Sequence, residues 1–227
     1  MGEALLRRYG ATRNGRWLDL GCGPGGNLFV ADAFWPDLVV GVDFSPLALE
    51  LAQSNLPQAT LVRADISRGL PFAHAAFDVV TIFNVIYHSW VKDDREAFRE
   101  VARVLRPKGL LLITEPAFPI LAREWDKAVM GVRRYRRPEL IAHCRQAGLK
   151  TLFASYFTSF GFPILLGLQA LKKVVGNIGP EQGAEFKRLP RIINAILFAV
   201  ARLEAKVIGL GVRMPFGVTL ALVAVRE

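Results

Sequence analysis

A glycine-rich loop directly follows the first apolar run of the chain, residues 16–20. Residues 21–26 read GCGPGG and satisfy the pattern G-x-G-x-x-G, which binds nucleotide phosphates where a strand turns into a helix. Glycines allow a tight turn and a close approach of the backbone to a ligand, and the helix N-terminus that follows attracts a negative group. Because a pyrophosphate or a carboxylate can occupy that place, the loop alone predicts a nucleotide site without choosing the nucleotide.

Three carboxylates at the ends of apolar runs narrow the choice of nucleotide. Asp19 lies two residues before the first glycine, Asp43 ends the second run, and Asp65 follows the third. Asp19 would repel a pyrophosphate but attract an amino group. Asp43 can accept hydrogen bonds from both ribose hydroxyls, and Asp65 can accept one from an adenine amino group while Ile66 packs on the ring. The set favours S-adenosylmethionine, a sulfonium methyl donor with an amino group, over a nicotinamide dinucleotide.

Five segments resemble the class I S-adenosylmethionine-dependent methyltransferases, in particular the small-molecule group that includes the ubiquinone and menaquinone methyltransferases. The matching segments are 18–25 (LDLGCGPG), 42–43 (VD), 64–65 (AD), 77–80 (FDVV) and 105–111 (LRPKGLL). The resemblance implies S-adenosylmethionine as donor and S-adenosylhomocysteine as product. The cofactor-binding residues that it implies are Asp19, Gly21, Cys22, Gly23, Asp43, Phe44, Asp65, Ile66 and Asn84.

The acceptor side of the site has fewer signals. Methyl transfer from a sulfonium is an in-line displacement, so the protein mainly aligns the two reactants and excludes water. A base is needed only where the acceptor must lose a proton, and the candidates are His88 and Tyr87; packing or helix capping is the alternative for His88. Glu115 can position the acceptor or cap the next turn. A phosphate or carboxylate on the acceptor could bind to three residues, Arg133, Arg134 and Tyr135. The alternative is that these residues form a solvated face.

Strand-like runs alternate with helical patterns over the first 147 residues. Strands are predicted at 16–20, 38–43, 60–64, 77–83 and 110–114, and helices at 27–35, 45–55, 93–105 and 138–147. Continuous apolar strands that alternate with helices indicate a mostly parallel sheet covered on both faces. The prediction is one doubly wound α/β domain over residues 1–227, with the seven-stranded, Rossmann-like sheet that the resemblance implies. Ligands of such sheets bind beyond the carboxyl ends of the strands.

Residues 158–213 depart from this alternation, before a last strand at 217–225. Their apolar residues form two runs, at 162–171 and 192–207, and those of the second recur at helical spacing. Neither run reaches the roughly 20 uninterrupted apolar residues of a membrane span. Basic residues outnumber acidic ones: Lys172, Lys173, Lys187, Arg188, Arg191, Arg202, Lys206 and Arg213, against Glu181, Glu185 and Glu204. We expect a helical insertion or cap whose apolar stripes beside basic residues suit contact with an anionic membrane surface. The alternatives are a cap that closes a hydrophobic substrate pocket and a homodimer interface.

Composition limits the partners and the compartment. The net charge of +9 indicates an acidic partner, but no Lys/Arg run typical of nucleic-acid binding is present. Cys22 and Cys144 lie far apart and no secretory leader precedes them, which favours a reducing cytoplasm. No Cys/His cluster has the spacing of a metal site.

We therefore expect a cytoplasmic enzyme, free or peripheral at the membrane, that methylates an apolar small molecule: a lipid-like, isoprenoid or natural-product metabolite. The alternatives are a nicotinamide-dependent oxidoreductase and a non-catalytic cofactor-binding module at the membrane surface.

Overall fold

One mixed β-sheet organises the chain. The computed structural model describes residues 1–11, 13–175 and 190–227. Its strands are β1 (Arg16–Leu20), β2 (Leu38–Asp43), β3 (Thr60–Arg63), β4 (Phe77–Phe83), β5 (Leu105–Pro116), β6 (Leu149–Phe157) and β7 (Thr219–Arg226). They lie in the order β3-β2-β1-β4-β5-β7-β6. Strands β1 to β5 are parallel to one another, and β7 is antiparallel to both β5 and β6. The prediction of a mostly parallel, seven-stranded, Rossmann-like sheet is confirmed.

Helices connect the strands and cover both faces of the sheet. They are α1 (Gly2–Arg8), α2 (Phe29–Asp32), α3 (Pro46–Asn55), α4 (Asp94–Val104), α5 (Glu124–Ala128), α6 (Arg137–Gln146), α7 (Gly161–Val175) and α8 (Arg191–Gly209). The starts of α3 and α4 agree with their capping residues. The Ser45 hydroxyl accepts the N–H of Ala48 at 3.3 Å, and the Asp93 carboxylate accepts the N–H of Arg95 at 2.9 Å.

The two faces of the sheet carry separate apolar cores. Leu18 and Val80 of the central strands pack with residues of α4 and α6 on one face. Trp17 and Leu112 pack with residues of α1 and α8 on the other. Adjacent residues of β1 therefore serve opposite cores, as the two-residue repeat of a strand requires. Burial on both faces explains why these strands are continuously apolar.

Two predicted boundaries are wrong, and one strand was not predicted. The helix expected at 27–35 shrinks to the four residues of α2, because the segment forms three-residue turns, such as Val30 N–H to the Asn27 carbonyl, between the glycines and Trp35, where φ is +49°. Strand β5 begins at Leu105, within the turn expected before residue 110, because Leu105 pairs with Phe77 before a bulge. Strand β6 was not identified in the sequence at all.

The predicted helical insertion before the last strand is present as α7 and α8, between β6 and β7. The side chains of six charged residues named above lie outside the described residues: Lys172, Lys173, Glu181, Glu185, Lys187 and Arg188. Within residues 1–11, 13–175 and 190–227, no helix is both long and apolar enough to cross a membrane. Because β5 and β6 run in the same direction, α7 begins at the sheet edge where the parallel strands end.

Candidate functional site

A cleft opens at the carboxyl ends of β1 to β4. Its volume is about 190 Å³. Such an edge is where doubly wound sheets bind their ligands. The cleft brings together eight of the predicted site residues, namely Gly21, Gly23, Asp43, Phe44, Asp65, Ile66, Asn84 and His88. Trp90 also lines the cleft and was not predicted, because it belongs to no motif in the sequence.

The glycine loop needs its glycines for two different reasons. Gly21 has a φ of +69°, and a Cβ there would lie 2.3 Å from a methyl carbon of Val85. Gly23 has a φ of +53°, lines the cleft, and would place a Cβ with no heavy atom within 4 Å. The first glycine therefore permits close packing of the loop after β4, and the second leaves room for a ligand.

Asp43 fixes the loop after β1 to the end of β2. One carboxylate oxygen accepts the N–H of Gly23 at 2.9 Å, and the other accepts the N–H of Ser45 at 2.9 Å. Each oxygen keeps a further lone pair, because a carboxylate offers about four acceptor positions. The carboxylate is thus held in one orientation and can still accept hydrogen bonds from two hydroxyl groups.

Asp65 and Ile66 form the next part of the cleft. The Asp65 carboxylate accepts the Ser67 N–H at 2.9 Å and the Ser67 hydroxyl at 2.6 Å, and it lies 3.4 Å from the Arg68 guanidinium. Ile66 is buried beside it. Asp65 therefore stabilises its own turn, while its neighbour supplies an apolar surface.

Asn84 directly follows β4 in a left-handed conformation, with a φ of +56°. Its N–H donates to the Thr114 carbonyl at 2.8 Å. Asparagine tolerates this region better than most residues, and such conformations concentrate at functional sites. The turn directs the backbone of Asn84 and Val85 along the cleft.

His88 lies between two aromatic rings. Its ring centroid is 3.9 Å from that of Tyr87 and 4.0 Å from that of Trp90, which in turn contacts Phe44 at 5.1 Å. Burial lowers the pKa of His88, so the imidazole is neutral at neutral pH and can accept a proton. Its Nδ1 is buried and has no hydrogen-bond partner in the described part of the chain. Burial raises the pKa of Tyr87, which keeps that hydroxyl protonated and argues against Tyr87 as a base.

The side chains of Asp19 and Cys22 do not line the cleft, contrary to prediction. Asp19 accepts a hydrogen bond from the Thr81 hydroxyl at 2.6 Å on the sheet face that carries Trp17, because successive residues of β1 point to opposite faces. Burial raises its pKa to about 7, and its second oxygen has no partner among the described residues. Cys22 is buried against Gly41, and burial raises the pKa of its thiol to about 12.

Glu115 binds backbone rather than projecting toward an acceptor. It is fully buried, and its carboxylate accepts the N–H groups of Val85, Ile86 and Tyr87 at 3.1, 3.0 and 3.3 Å. Burial raises its pKa to about 8, opposed by these three donors. With both of its oxygens bound to backbone N–H groups, a direct role of Glu115 in positioning the acceptor stays a prediction. Glu115 holds the loop that carries His88, a contact across about thirty residues that no local sequence signal reveals.

Arg133, Arg134 and Tyr135 are also committed to the protein itself. The Arg133 guanidinium donates to backbone carbonyls of the loop after β4, at 2.8 to 3.2 Å. Arg134 makes two 2.8 Å hydrogen bonds to the Asp126 carboxylate. Tyr135 is buried and donates its hydroxyl to Asp94 at 3.0 Å. Because every one of these groups has a protein partner, an acidic group on the acceptor would have to compete with those contacts, and the anion site at these residues stays a prediction.

Comparisons with known proteins agree with this geometry. The family model described as "Methyltransferase domain" matches residues 18–113. The malonyl-[acyl-carrier protein] O-methyltransferase of Enterobacter lignolyticus is 31% identical over 198 residues, which are 83% of this chain and 75% of that protein. The trans-aconitate 2-methyltransferase of Escherichia coli is 36% identical over 99 residues, which are 43% of this chain and only 38% of that protein.

A solved structure shows the same fold. The S-adenosylmethionine-dependent methyltransferase of Mesorhizobium loti superposes with a TM-score of 0.65 at 18% identity, covering 97% of this chain and 95% of that one. The sheet order, the glycine loop after β1 and the relationship in sequence lead to the same conclusion. The chain belongs to the class I S-adenosylmethionine-dependent methyltransferases.

Proposed function

We propose that this protein binds S-adenosylmethionine in the cleft and transfers its methyl group to an apolar, uncharged small molecule. The observation that carries the proposal is the Asp43 carboxylate, which two backbone N–H groups hold at the cleft with acceptor capacity to spare. A ribose offers two adjacent hydroxyls to such a group.

The remaining cleft residues suit the rest of the donor. Ile66 and Phe44 provide apolar surface for an adenine ring, beside Asp65 for its amino group. The open space at Gly23 allows the donor to approach the loop backbone, and the backbone at Asn84 stands at the methionine end. When bound, S-adenosylmethionine supplies a methyl group on a positively charged sulfur. Carboxylates around the cleft favour that charge, whereas they would repel the pyrophosphate of a nicotinamide dinucleotide.

Aromatic rings at the same sheet edge support an apolar acceptor. Phe118, just after β5, stacks on Tyr156 at 4.5 Å and meets Phe162 of α7 at 5.1 Å. Phe162 in turn lies 5.3 Å from Phe216. Such a cluster provides a surface on which an apolar body can pack. An isoprenoid acceptor, as the resemblance to quinone methyltransferases suggests, would fit this chemistry.

The relatives named above act on malonyl-[acyl-carrier protein] and trans-aconitate, both of which carry carboxylates. Arg133 and Arg134, the two cations predicted to bind an acidic group of the acceptor, are bound to backbone carbonyls and to Asp126. A carboxylate acceptor would have to break those contacts. An uncharged acceptor is therefore the better match.

His88 would act when the acceptor carries a hydroxyl. Its imidazole is neutral because burial lowers its pKa, and it lines the cleft. Placed there, it would take the proton that the acceptor oxygen loses as the new bond to carbon forms. The flanking rings of Tyr87 and Trp90 would exclude water from the transfer.

The test is to incubate purified protein with methyl-labelled S-adenosylmethionine and a cellular lipid extract. Label should enter an organic-phase product with the wild-type protein and not with Asp43→Ala. Label that enters only RNA, protein or water-soluble acids would refute the proposed acceptor. Competition of NAD with S-adenosylhomocysteine for the cleft would instead favour an oxidoreductase.

A further inference from the structure

Helix α8 exposes a stripe of large apolar side chains. Ile192, Ile196 and Leu203 are 76%, 57% and 64% exposed, and Ile193 and Val200 are 46% and 39% exposed. We call these five residues the apolar stripe. They recur at three- and four-residue spacing and so share one side of the helix. Exposed apolar patches of this kind mark surfaces that bind a membrane or another protein.

The charged side chains exposed beside the apolar stripe on α8 are all basic. Glu204, the one acidic residue in the α8 sequence, is buried and accepts the N–H groups of Thr158 and Ser159 at 3.0 and 2.9 Å. Arg191, Arg202 and Lys206 are exposed. At 3.6 residues per turn, the three cations fall within about 60° of one another on one flank of the stripe.

The packing of α8 keeps this side outward. Ile208 and Glu204 face the protein, and a Cβ at Gly209 would lie 2.8 Å from Ala4 of α1. The helix is thus fixed against α1 and the end of β6, with its apolar stripe directed away from them. Turning the stripe inward would expose Glu204 and break its two hydrogen bonds.

Helix α7 adds a second exposed apolar row. Ile164, Leu168 and Leu171 are 60%, 52% and 51% exposed and lie at four- and three-residue spacing. The helix contains no acidic residue. Its first turn lies at the sheet edge that carries the cleft. An exposed apolar row thus begins at the edge of the sheet where ligands bind.

We propose that α7 and α8 dock the protein on an anionic lipid bilayer surface, with the apolar stripe in the interface and Arg191, Arg202 and Lys206 at the headgroups. Helices with an apolar side flanked by Lys and Arg bind in the interface plane without spanning it. A second copy of the chain fits less well, because α7 has no acidic residue and Glu204 of α8 is buried, so these helices of a second copy would offer no exposed acidic partner to the basic flank. Docking of this kind does not depend on the identity of the methyl acceptor.

Flotation of the purified full-length protein with vesicles tests the proposal. Vesicles of phosphatidylcholine with phosphatidylglycerol should bind at least about tenfold more tightly than phosphatidylcholine alone, and high salt should weaken that binding. Arg202→Glu/Lys206→Glu should lower the partition coefficient at least about tenfold. Ile192→Ser/Ile196→Ser should lower it by a similar factor, because less apolar area enters the interface.

Two matched control variants distinguish an effect of the α7 and α8 surface from a general effect of changed charge or lost apolar area. Arg95→Glu/Arg145→Glu makes the same charge change on exposed residues of α4 and α6, on the opposite face of the sheet. Leu47→Ser/Leu51→Ser makes a matched apolar change on α3, where both side chains are exposed. Both should bind vesicles within about twofold of wild type.

Equal binding to neutral and anionic vesicles, or loss of binding in the matched variants as well, would overturn the proposal. So would a wild-type dimer in solution that Ile192→Ser/Ile196→Ser converts to a monomer, since the stripe would then be covered by a second copy. The substituted side chains are exposed, so unchanged thermal unfolding should accompany each change.

Discussion

The Asp43 carboxylate and the Gly23 N–H are joined by a 2.9 Å hydrogen bond between the end of β2 and the loop after β1. The Asp43 carboxylate, which is proposed to bind the ribose, therefore also holds Gly23, the glycine that leaves room for the donor, in position. This coupling means that single substitutions must be paired with controls that separate a loop effect from a lost ligand contact.

Asp43→Ala should weaken S-adenosylhomocysteine binding at least about tenfold, measured by isothermal titration calorimetry. A hydrogen bond to a charged group is worth about 1.5–3 kcal/mol, and the carboxylate is proposed to accept two ribose hydroxyls. Asp43→Asn keeps one acceptor oxygen and should give an intermediate affinity. Equal affinities in all three proteins would contradict the ribose assignment.

Gly23→Ala should abolish donor binding while Gly10→Ala should not. Both glycines have positive φ, +53° and +94°, and neither would place a Cβ within 4 Å of another heavy atom. Each substitution should therefore lower the free energy of unfolding by a similar amount, about 1–2 kcal/mol, through backbone strain. Only Gly23 lines the cleft. If calorimetry shows that the two variants bind S-adenosylhomocysteine equally well, Gly23 does not face the donor.

The sequence allowed the donor side of the site to be predicted because its signals are local. A strand that breaks into glycines, and carboxylates at the ends of the next strands, place Gly23, Asp43 and Asp65 at one edge of any parallel sheet. The helix starts predicted at residues 45 and 93 have the same basis, because Ser45 and Asp93 cap α3 and α4 through local contacts. The side of β1 on which Asp19 lies could not be predicted, because it depends on which of the two cores the alternate residues of β1 fill.

The acceptor side could not be predicted because its contacts span large sequence separations. Glu115 binds N–H groups about thirty residues away, and Arg133 binds carbonyls more than forty residues away. In the sequence both resemble free polar groups beside a site. Only tertiary packing shows that their charges already have partners. Trp90 was not predicted for the same reason, because its position beside His88 depends on the path of the loop after β4.

His88→Gln should change the pH profile of methylation of a hydroxyl-bearing acceptor. The pKa of His88 lies below its usual value, so the neutral base persists to below pH 6.5 and the acid limb of kcat should fall under that value. His88→Gln should lower kcat about 100-fold or more and remove the acid limb. Unchanged S-adenosylhomocysteine affinity would show that the cleft is intact. A variant that keeps both kcat and the acid limb would exclude His88 as the base.

Glu115→Gln should impair the protein through the loop after β4. The amide keeps one acceptor oxygen, but its NH₂ group faces a backbone N–H that formerly donated to a carboxyl oxygen. An unsatisfied buried donor costs about 1–3 kcal/mol. The free energy of unfolding in urea should fall by that amount at about pH 5, where the folded wild-type protein holds Glu115 protonated and both of its oxygens can still accept. Because the same loop carries His88, kcat should fall more than donor affinity. An unaltered free energy of unfolding would show that these hydrogen bonds contribute little.

Asp19→Asn should flatten the pH dependence of stability. Burial raises the pKa of Asp19 from 3.8 to about 7, so the folded state holds its proton more tightly than the unfolded chain does. The resulting stability is complete below pH 3.8 and is lost as the pH rises through about 7. The slope for one proton is at most about 1.4 kcal/mol per pH unit. Asparagine resembles the protonated carboxyl and cannot ionise.

Urea unfolding of both proteins between pH 5 and about pH 8 isolates this contribution, because Glu115, whose pKa is also raised, titrates equally in each and cancels in the difference. Asp19→Asn should exceed the wild type by a small margin at pH 5, which already lies above 3.8, and by a larger margin at pH 8. Parallel curves would contradict the raised pKa of Asp19, because they would show that its carboxyl ionises at a similar pH in the folded and unfolded protein.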